Sequence, residues 1–229
     1  MSAFVSAIIV AAGSSTRMGL QKSKQFIELC GETVIQRTLR AFEDCGVIDS
    51  VVVVCRESDE SEMRSIAREN GFKKVRAFVN GGKTRDESVK NGIFVCDERT
   101  THYAIHDGAR PLIEGEDIIK VVTAALDCSA AALGTLVTDT IKVVDENNVI
   151  VSTPNRSSLR AVQTPQVFEK SLYLRALENG NSEGITDDCQ LVESIGERVR
   201  IIISNGSNIK LTTQSDIKTA EMIIRERGY

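Results

Sequence analysis

Tryptophan is missing from this chain, and aromatic residues make up only 4% of its 229 positions. A single-strand nucleic-acid binder that works by stacking needs aromatic platforms, so that class is disfavoured. The net charge of −4 also lacks the basic surplus of a general nucleic-acid binder, although it leaves room for a local basic pocket. No apolar run approaches the ~18 residues of a membrane span, so no membrane partner is expected. The start, Met1-Ser2-Ala3-Phe4-Val5, has no basic region ahead of an apolar one, and no signal peptide is apparent. With two histidines and no C-x-x-C spacing, a zinc site is improbable. Cys30, Cys45, Cys55, Cys96, Cys128 and Cys189 instead read as buried, reduced, structural thiols of a cytoplasmic protein. No stretch rich in Pro, Gly or Ser separates one part from another, and a single domain over residues 1–229 is the expectation.

What the chain does contain is alternation. Strand-length apolar runs at Ser6–Ala11, Ser50–Cys55, Lys74–Val79, His102–His106, Ala130–Val137 and Arg198–Ser204 are separated by segments of helical period. Thr33–Cys45 carries Ile35, Leu39, Phe42 and Cys45 at that spacing, and Asp59–Gly71 and Thr84–Cys96 follow the same logic. Thr84-Arg85-Asp86-Glu87 is a capping-box pattern. Ile118, Ile119, Val122, Ala125 and Leu126 predict another helix, and Ile217, Ala220, Ile223 and Ile224 a last one closed by Gly228. Such order points to α/β architecture around a mostly parallel sheet. Between Thr138 and Thr164 no helix signal appears, and Asp139–Val151 reads as a β-hairpin around a polar loop, part of an inserted arm at about 138–160. Two strands bury little by themselves, so the arm must pack on the domain or reach a second subunit.

The first strand ends in Ala11-Ala12-Gly13-Ser14-Ser15-Thr16-Arg17-Met18-Gly19, followed by Lys22-Ser23-Lys24-Gln25-Phe26. Small residues allow backbone N–H groups close to phosphate oxygens, and Arg17 and Lys24 supply the charge a triphosphate needs. A tight packing turn is the competing reading, and it has no use for the two cations. Two familiar phosphate loops do not fit: Leu20 and Gln21 follow Gly19, which excludes a Walker loop, and Ser15 stands where a dinucleotide fingerprint needs glycine. Open α/β sheets bind ligands beyond the C-terminal ends of their strands. The same position after later strands holds Gly81-Gly82-Lys83-Thr84-Arg85 with Ser88, and His106-Asp107-Gly108-Ala109-Arg110-Pro111. Asp107 is a candidate Mg²⁺ ligand or an acceptor for a substrate hydroxyl, against the plainer alternative of a turn cap.

The ordered set A-A-G, R-M, K-Q-F, G-G…R…S-V, H-D-G-A-R-P, D-T-I-K, R-S-S-L…Q-T-P-Q, T-D-D and N-I-K-L-T resembles the 2-C-methyl-D-erythritol 4-phosphate cytidylyltransferases, from about Ala7 to Thr213. The resemblance implies a Rossmann-like sheet, a dimerising β-arm, Mg²⁺, and CMP transfer from CTP to a polyol phosphate in the non-mevalonate isoprenoid pathway. It implies that Arg17 and Lys24 stabilise the transition state. Ala11, Ala12, Gly13, Ser14 and Ser15 would surround the CTP phosphates, with Gly82, Ser88 and Gly108 at the nucleoside. Asp107, Arg110, Thr140 and Thr164 would form the polyol phosphate pocket. Arg156 and Lys210 would hold the attacking phosphate, Arg156 reaching in from the other subunit of a homodimer. Two positions depart from the family: Ser23 stands where proline is usual, and Asn155 where many members have an acid. The second change is similar to the ribitol 5-phosphate cytidylyltransferases, the alternative within the class. A non-catalytic nucleotide-binding module is the alternative outside it, and the four cations together weigh against that.

Overall fold

The computed structural model describes residues 3–13, 23–180 and 184–228. Strand β1 (Val5–Val10) leads through a short β2–β3 ribbon (Glu28–Leu29, Glu32–Thr33) into helix α1 (Val34–Glu43). Strand β4 (Ser50–Cys55), α2 (Glu57–Glu69), β5 (Val75–Asn80), α3 (Arg85–Phe94), β6 (His102–Asp107), α4 (Gly115–Cys128) and β7 (Ala130–Leu136) follow in alternation. The arm carries β8 (Val143–Val144) and β9 (Ile150–Ser152), and β10 (Arg160–Glu169) returns to the body. The remaining elements are α5 (Lys170–Asn179), α6 (Asp188–Glu193), β11 (Arg200–Ile203) and α7 (Gln214–Glu226).

Seven strands form one sheet in the order β11-β7-β10-β6-β1-β4-β5. Every strand runs parallel except β10, which is antiparallel to both β6 and β7. Alternate residues of β1 face opposite layers, as the period of two in a strand requires. Ala7, Ile9 and Ala11 pack with Ile35, Leu39, Met63 and Val121 on one face. Ile8 packs with Val89, Tyr103, Leu172 and Tyr173 on the other. A smaller third cluster joins Leu29, Val34, Leu112, Leu211, Ala220 and Ile224 and seats α7. No helix among the described residues is long and apolar enough to cross a membrane.

The expected strands and helices are present with ends shifted by a few residues. Three segments escape the periodicity argument. Strand β10 does so because Gln163, Thr164, Pro165 and Gln166 interrupt its apolar pattern. The ladder to β7 shifts between Val162 and Gln166, and Pro165 sits in that irregularity, where its missing N–H does no harm. Helix α6, six residues long, is too short to declare itself, and α5 buries only Leu172, Tyr173 and Ala176, too few repeats to show the period. The Thr84 capping box forms only in half. Thr84 Oγ1 accepts the Glu87 N–H, but the Glu87 carboxylate takes the N–H of Lys83 instead of Thr84. The cysteine reading is corrected in part: Cys45, Cys55 and Cys189 are buried free thiols, whereas Cys96 and Cys128 are half-buried and Cys30 is exposed.

Helix α3 lies close on the sheet because Gly92 has no side chain. A Cβ there would come within 2.6 Å of Ile8 Cγ2 and 2.9 Å of Val54 Cγ2, both on fully buried residues. Gly92→Ala gains about 1 kcal/mol of helix propensity. Overpacking against two β-branched side chains that cannot retreat costs about 1–3 kcal/mol. The net expectation is destabilisation of about 1 kcal/mol, read as a lower urea midpoint; an unchanged or higher midpoint would contradict this packing.

Candidate active site

Parallel pairing brings the ends of four strands to one edge. Val10 is in register with Val54 on one side and Asp107 on the other, and Val54 and Cys55 pair with Val79 and Asn80. Ala11, Ala12, Gly13, Gly81, Gly82, Asp107 and Gly108 therefore emerge together. Ser14, Ser15 and Arg17 lie outside the described residues.

On the β5 side an open pocket of about 280 Å³ is lined by Ala12, Gly81 and Gly82 together with Cys55, Arg56, Glu57 and Asn80. Glycine is required at Gly81, since a Cβ would sit 2.3 Å from Ala12 Cβ. Ser88 is buried and its hydroxyl is already engaged. It accepts the Gly82 N–H (3.0 Å) and donates to the Thr84 carbonyl (2.9 Å), so it shapes the glycine turn from beneath. Two other backbone donors belong to the sheet edge: Ala11 N–H to Val54 O (2.7 Å) and Gly108 N–H to Val10 O (2.9 Å). A Cβ at Gly108 would press on Ala11 Cβ at 3.0 Å and on the Gln25 amide. Ala11 and Gly108 thus form a wall rather than an amide cradle.

On the β6 side the centre is Asp107, buried at the strand end. Its Oδ2 lies 2.6 Å from Lys210 Nζ and 3.8 Å from Arg110 Nε, and its Oδ1 lies 3.6 Å from Arg85 Nε. Burial alone would raise the Asp107 pKa, but Lys210, Arg85 and Arg110 together outweigh it and hold the group at about 2. Thr164 Oγ1 accepts the Asp107 N–H at 3.0 Å, which places β10 directly against this carboxylate. Lys210 is brought in by its neighbour: Leu211 is fully buried and its N–H donates to Ala109 O (2.9 Å). The following residues are tied down by Asp216, whose carboxylate accepts the N–H groups of Thr212 and Thr213. Lys24 is half-buried and opens a short 3₁₀ turn, Lys24–Phe26. Its Nζ donates to Leu211 O at 3.1 Å, so Lys24 and the Lys210 segment are adjacent. Ser23, in the position usual for proline, is buried and its hydroxyl accepts the Gln25 N–H as the cap of that turn.

Thus Asp107, Arg110, Thr164 and Lys210 converge within one chain, with Lys24 beside them. Thr140 and Arg156 do not join them. Both are exposed on the arm, where Arg156 donates to the Thr138 carbonyl. Asn155, in place of the acid of many relatives, caps the turn that carries Arg156 by accepting the Ser157 N–H.

Sequence reasoning missed four contributors. Arg85 pairs with Asp188 at 2.6 Å as well as with Asp107, and Tyr173 Oη donates to Asp188 Oδ1 at 2.6 Å. The R of G-G…R…S-V and the T-D-D motif were the only signals for the Arg85–Asp188 pair. The fourth is His106, fully buried and bonded to both Thr164 and Arg110. As a Mg²⁺ ligand Asp107 does not fit, because three cations already crowd its two oxygens and would repel a divalent ion. Among the described residues no cluster of three His, Cys, Asp or Glu side chains could hold a metal.

The model of the family described as 2-C-methyl-D-erythritol 4-phosphate cytidylyltransferase matches residues 5–226 of this sequence. The chain belongs to this family. A relative of that name from Caldanaerobacter subterraneus subsp. tengcongensis is 42% identical over 97% of this chain and 99% of its own. Another from Symbiobacterium thermophilum is 40% identical over 98% and 94%. Among solved structures, the 4-diphosphocytidyl-2C-methyl-D-erythritol synthase of Anaerococcus prevotii superposes with a TM-score of 0.86 at 33% identity, covering 97% of this chain and 96% of that one. The cytidylyltransferase of Thermus thermophilus gives 0.78 at 29% identity, covering 97% and 99%. Membership makes the chain a nucleotidyltransferase of the cytidylyl-transferring class, with the α/β sheet its sequence pattern predicts.

His106 gives this cytidylyltransferase family member a pH signature. Desolvation pushes its pKa from 6.5 down to about 4, and the fields of Asp107 and of the Arg110 carbonyl do not restore it. Between those values the unfolded chain binds a proton that the folded chain refuses, so stability falls as pH drops. From about pH 7.5 to about pH 5 the wild type should lose about 2 kcal/mol more unfolding free energy than His106→Gln. Chemical denaturation at both pH values measures this, and equal losses would mean that His106 is not held neutral.

Proposed function

We propose that this chain transfers the cytidylyl group of CTP to 2-C-methyl-D-erythritol 4-phosphate, releasing pyrophosphate. A phosphate oxygen of the polyol phosphate attacks the α-phosphorus, and the bond from that phosphorus to the bridging oxygen of the pyrophosphate group breaks. The observation that carries the reading is Lys210 paired with a buried, ionised Asp107 at the strand-end edge, with Lys24 held against the next residue, Leu211. Two anions must approach each other in this reaction, and fixed cations offset the repulsion where negative charge accumulates. No side chain need act as nucleophile. Asp107 accepts hydrogen bonds from polyol hydroxyls, while Lys210 turns toward the substrate phosphate and aligns it. Lys24 is assigned to the triphosphate, as is Arg17 by the family pattern, and the pocket over Gly81 and Gly82 takes the nucleoside. Alignment of this kind is a large part of the catalysis available to a reaction without a covalent intermediate. Mg²⁺ would be held by triphosphate oxygens, the hard ligands that CTP itself brings, rather than by Asp107.

The arm is read as an exchange element of a cytoplasmic homodimer. Ile141, Val143, Val144, Val149, Ile150 and Val151 are 41–65% exposed on an arm whose two strands are too short to form a core. Apolar surface of that kind seeks a partner. Exchange across a two-fold axis supplies Arg156 and Thr140 to the neighbouring site, which the single chain leaves without them.

Two measurements test the reading. Pyrophosphate release should require CTP and 2-C-methyl-D-erythritol 4-phosphate, with ribitol 5-phosphate and UTP poor substitutes, and Lys24→Ala should lower turnover by roughly 10²–10³ with folding unchanged. Equal use of ribitol 5-phosphate would move the chain to the related class, and near-normal turnover of Lys24→Ala would remove that residue from the chemistry. For the shared site, inactive Lys24→Ala and inactive Arg156→Ala chains should regain partial activity when co-folded, because one site of the mixed dimer is intact. An active monomer in sedimentation, or no recovery on mixing, would refute arm exchange.

A further inference from the structure

The Thr164 hydroxyl can be assigned a direction, and the residue that sets it is His106. His106 Nε2 lies 3.2 Å from the Arg110 carbonyl oxygen, and His106 Nδ1 lies 3.1 Å from Thr164 Oγ1. A carbonyl only accepts, so the Arg110 contact selects the Nε2–H form; the Thr164 carbonyl, which also faces the ring, already accepts the Asn208 amide N–H at 2.8 Å. A neutral imidazole has one N–H, which leaves Nδ1 as an acceptor. The Thr164 hydroxyl hydrogen must therefore point at Nδ1. The Asp107 N–H, at 3.0 Å, occupies one of the two lone pairs on Thr164 Oγ1. What remains for any ligand is a single acceptor lone pair, next to a carboxylate that also only accepts.

We propose that His106 is a positioning residue for the polyol phosphate: held as the Nε2–H tautomer by the Arg110 carbonyl, it fixes Thr164 as a pure acceptor. Asp107 and Thr164 then present acceptors alone, which suits hydroxyls that donate, while the neighbouring cations take the phosphate. This deepens the substrate-pocket reading above and rests on it. A buried histidine serving only as core filler is the plainer account, since the Phe42 ring packs on it at 5.0 Å between centroids. Filler has no reason to distinguish one substrate from the other.

The direct test is ¹⁵N NMR of the full-length wild-type protein labelled at histidine. With only two histidines in the chain, a His106→Asn spectrum assigns the signals. His106 should appear as the Nε2–H tautomer at neutral pH, and an Nδ1–H tautomer would overturn the proposal. Kinetics supply the second test. Thr164→Val should raise KM for the polyol phosphate roughly tenfold, as expected when a site loses a specific polar partner, with KM for CTP within about twofold. His106→Phe should do the same, and should add nothing in a Thr164→Val background. His106→Asn should recover most of the loss, because its Oδ1 falls near the place of Nδ1 and can accept from Thr164. An unchanged KM in Thr164→Val would sink the pocket reading itself, and the inference with it. A raised KM in Thr164→Val alongside a normal one in His106→Phe, or no recovery in His106→Asn, would sink the His106 step alone.

Discussion

A buried negative charge at the end of the central strand β6 organises this molecule. Asp107 is ionised against the pull of its own burial because Arg85, Arg110 and Lys210 surround it. Each of those cations comes from a different part of the chain: the start of α3, the loop after β6, and the segment before α7. Holding one carboxylate therefore closes three loops onto the same sheet edge. Removing one member of a buried charge cluster typically costs about 3–5 kcal/mol, because the remaining charge is left uncompensated. The residues that stabilise this edge are therefore the same ones to which the proposed substrate contacts are assigned.

The second constraint is the antiparallel strand. In an all-parallel sheet the residues beside the end of β6 would be another strand's C-terminal loop. Strand β10 instead runs the opposite way between β6 and β7, and places its polar middle, Gln163 to Gln166, where the others have their ends. The same reversal lets the chain leave β7 for the arm and return to the body along β10. The proposed polyol pocket and the arm both follow from this one topological choice. Arg85 also pairs with the buried Asp188, which accepts from Tyr173 Oη, linking the site to the layer formed by α5 and α6.

Much of this was legible in the residues. The alternating apolar runs mark the strands, and small residues after β1, β5 and β6 mark the edge where the candidate site lies. Gly81 shows why such loops need glycine, since any Cβ would collide with Ala12. The failures are as physical as the successes. Strand β10 hid because its polar, proline-containing centre serves the site rather than the core. His106 drew no attention as a residue of its own, because nothing in a linear string shows that a histidine is fully enclosed with both ring nitrogens engaged.

The sequence by itself determined the period of each element, the chemical character of the loops and the family to which the chain belongs, since these depend on residue type and local spacing. Only the tertiary structure decided which groups meet. Lys210 stands 103 positions from Asp107 and Thr164 stands 57 from it, and no local rule couples residues so far apart. Those pairings follow from strand order, from the direction of β10 and from Leu211 sinking into the third core cluster. The protonation of His106 and the direction of the Thr164 hydroxyl are decided there as well, because burial and partner atoms, not residue identity, set both.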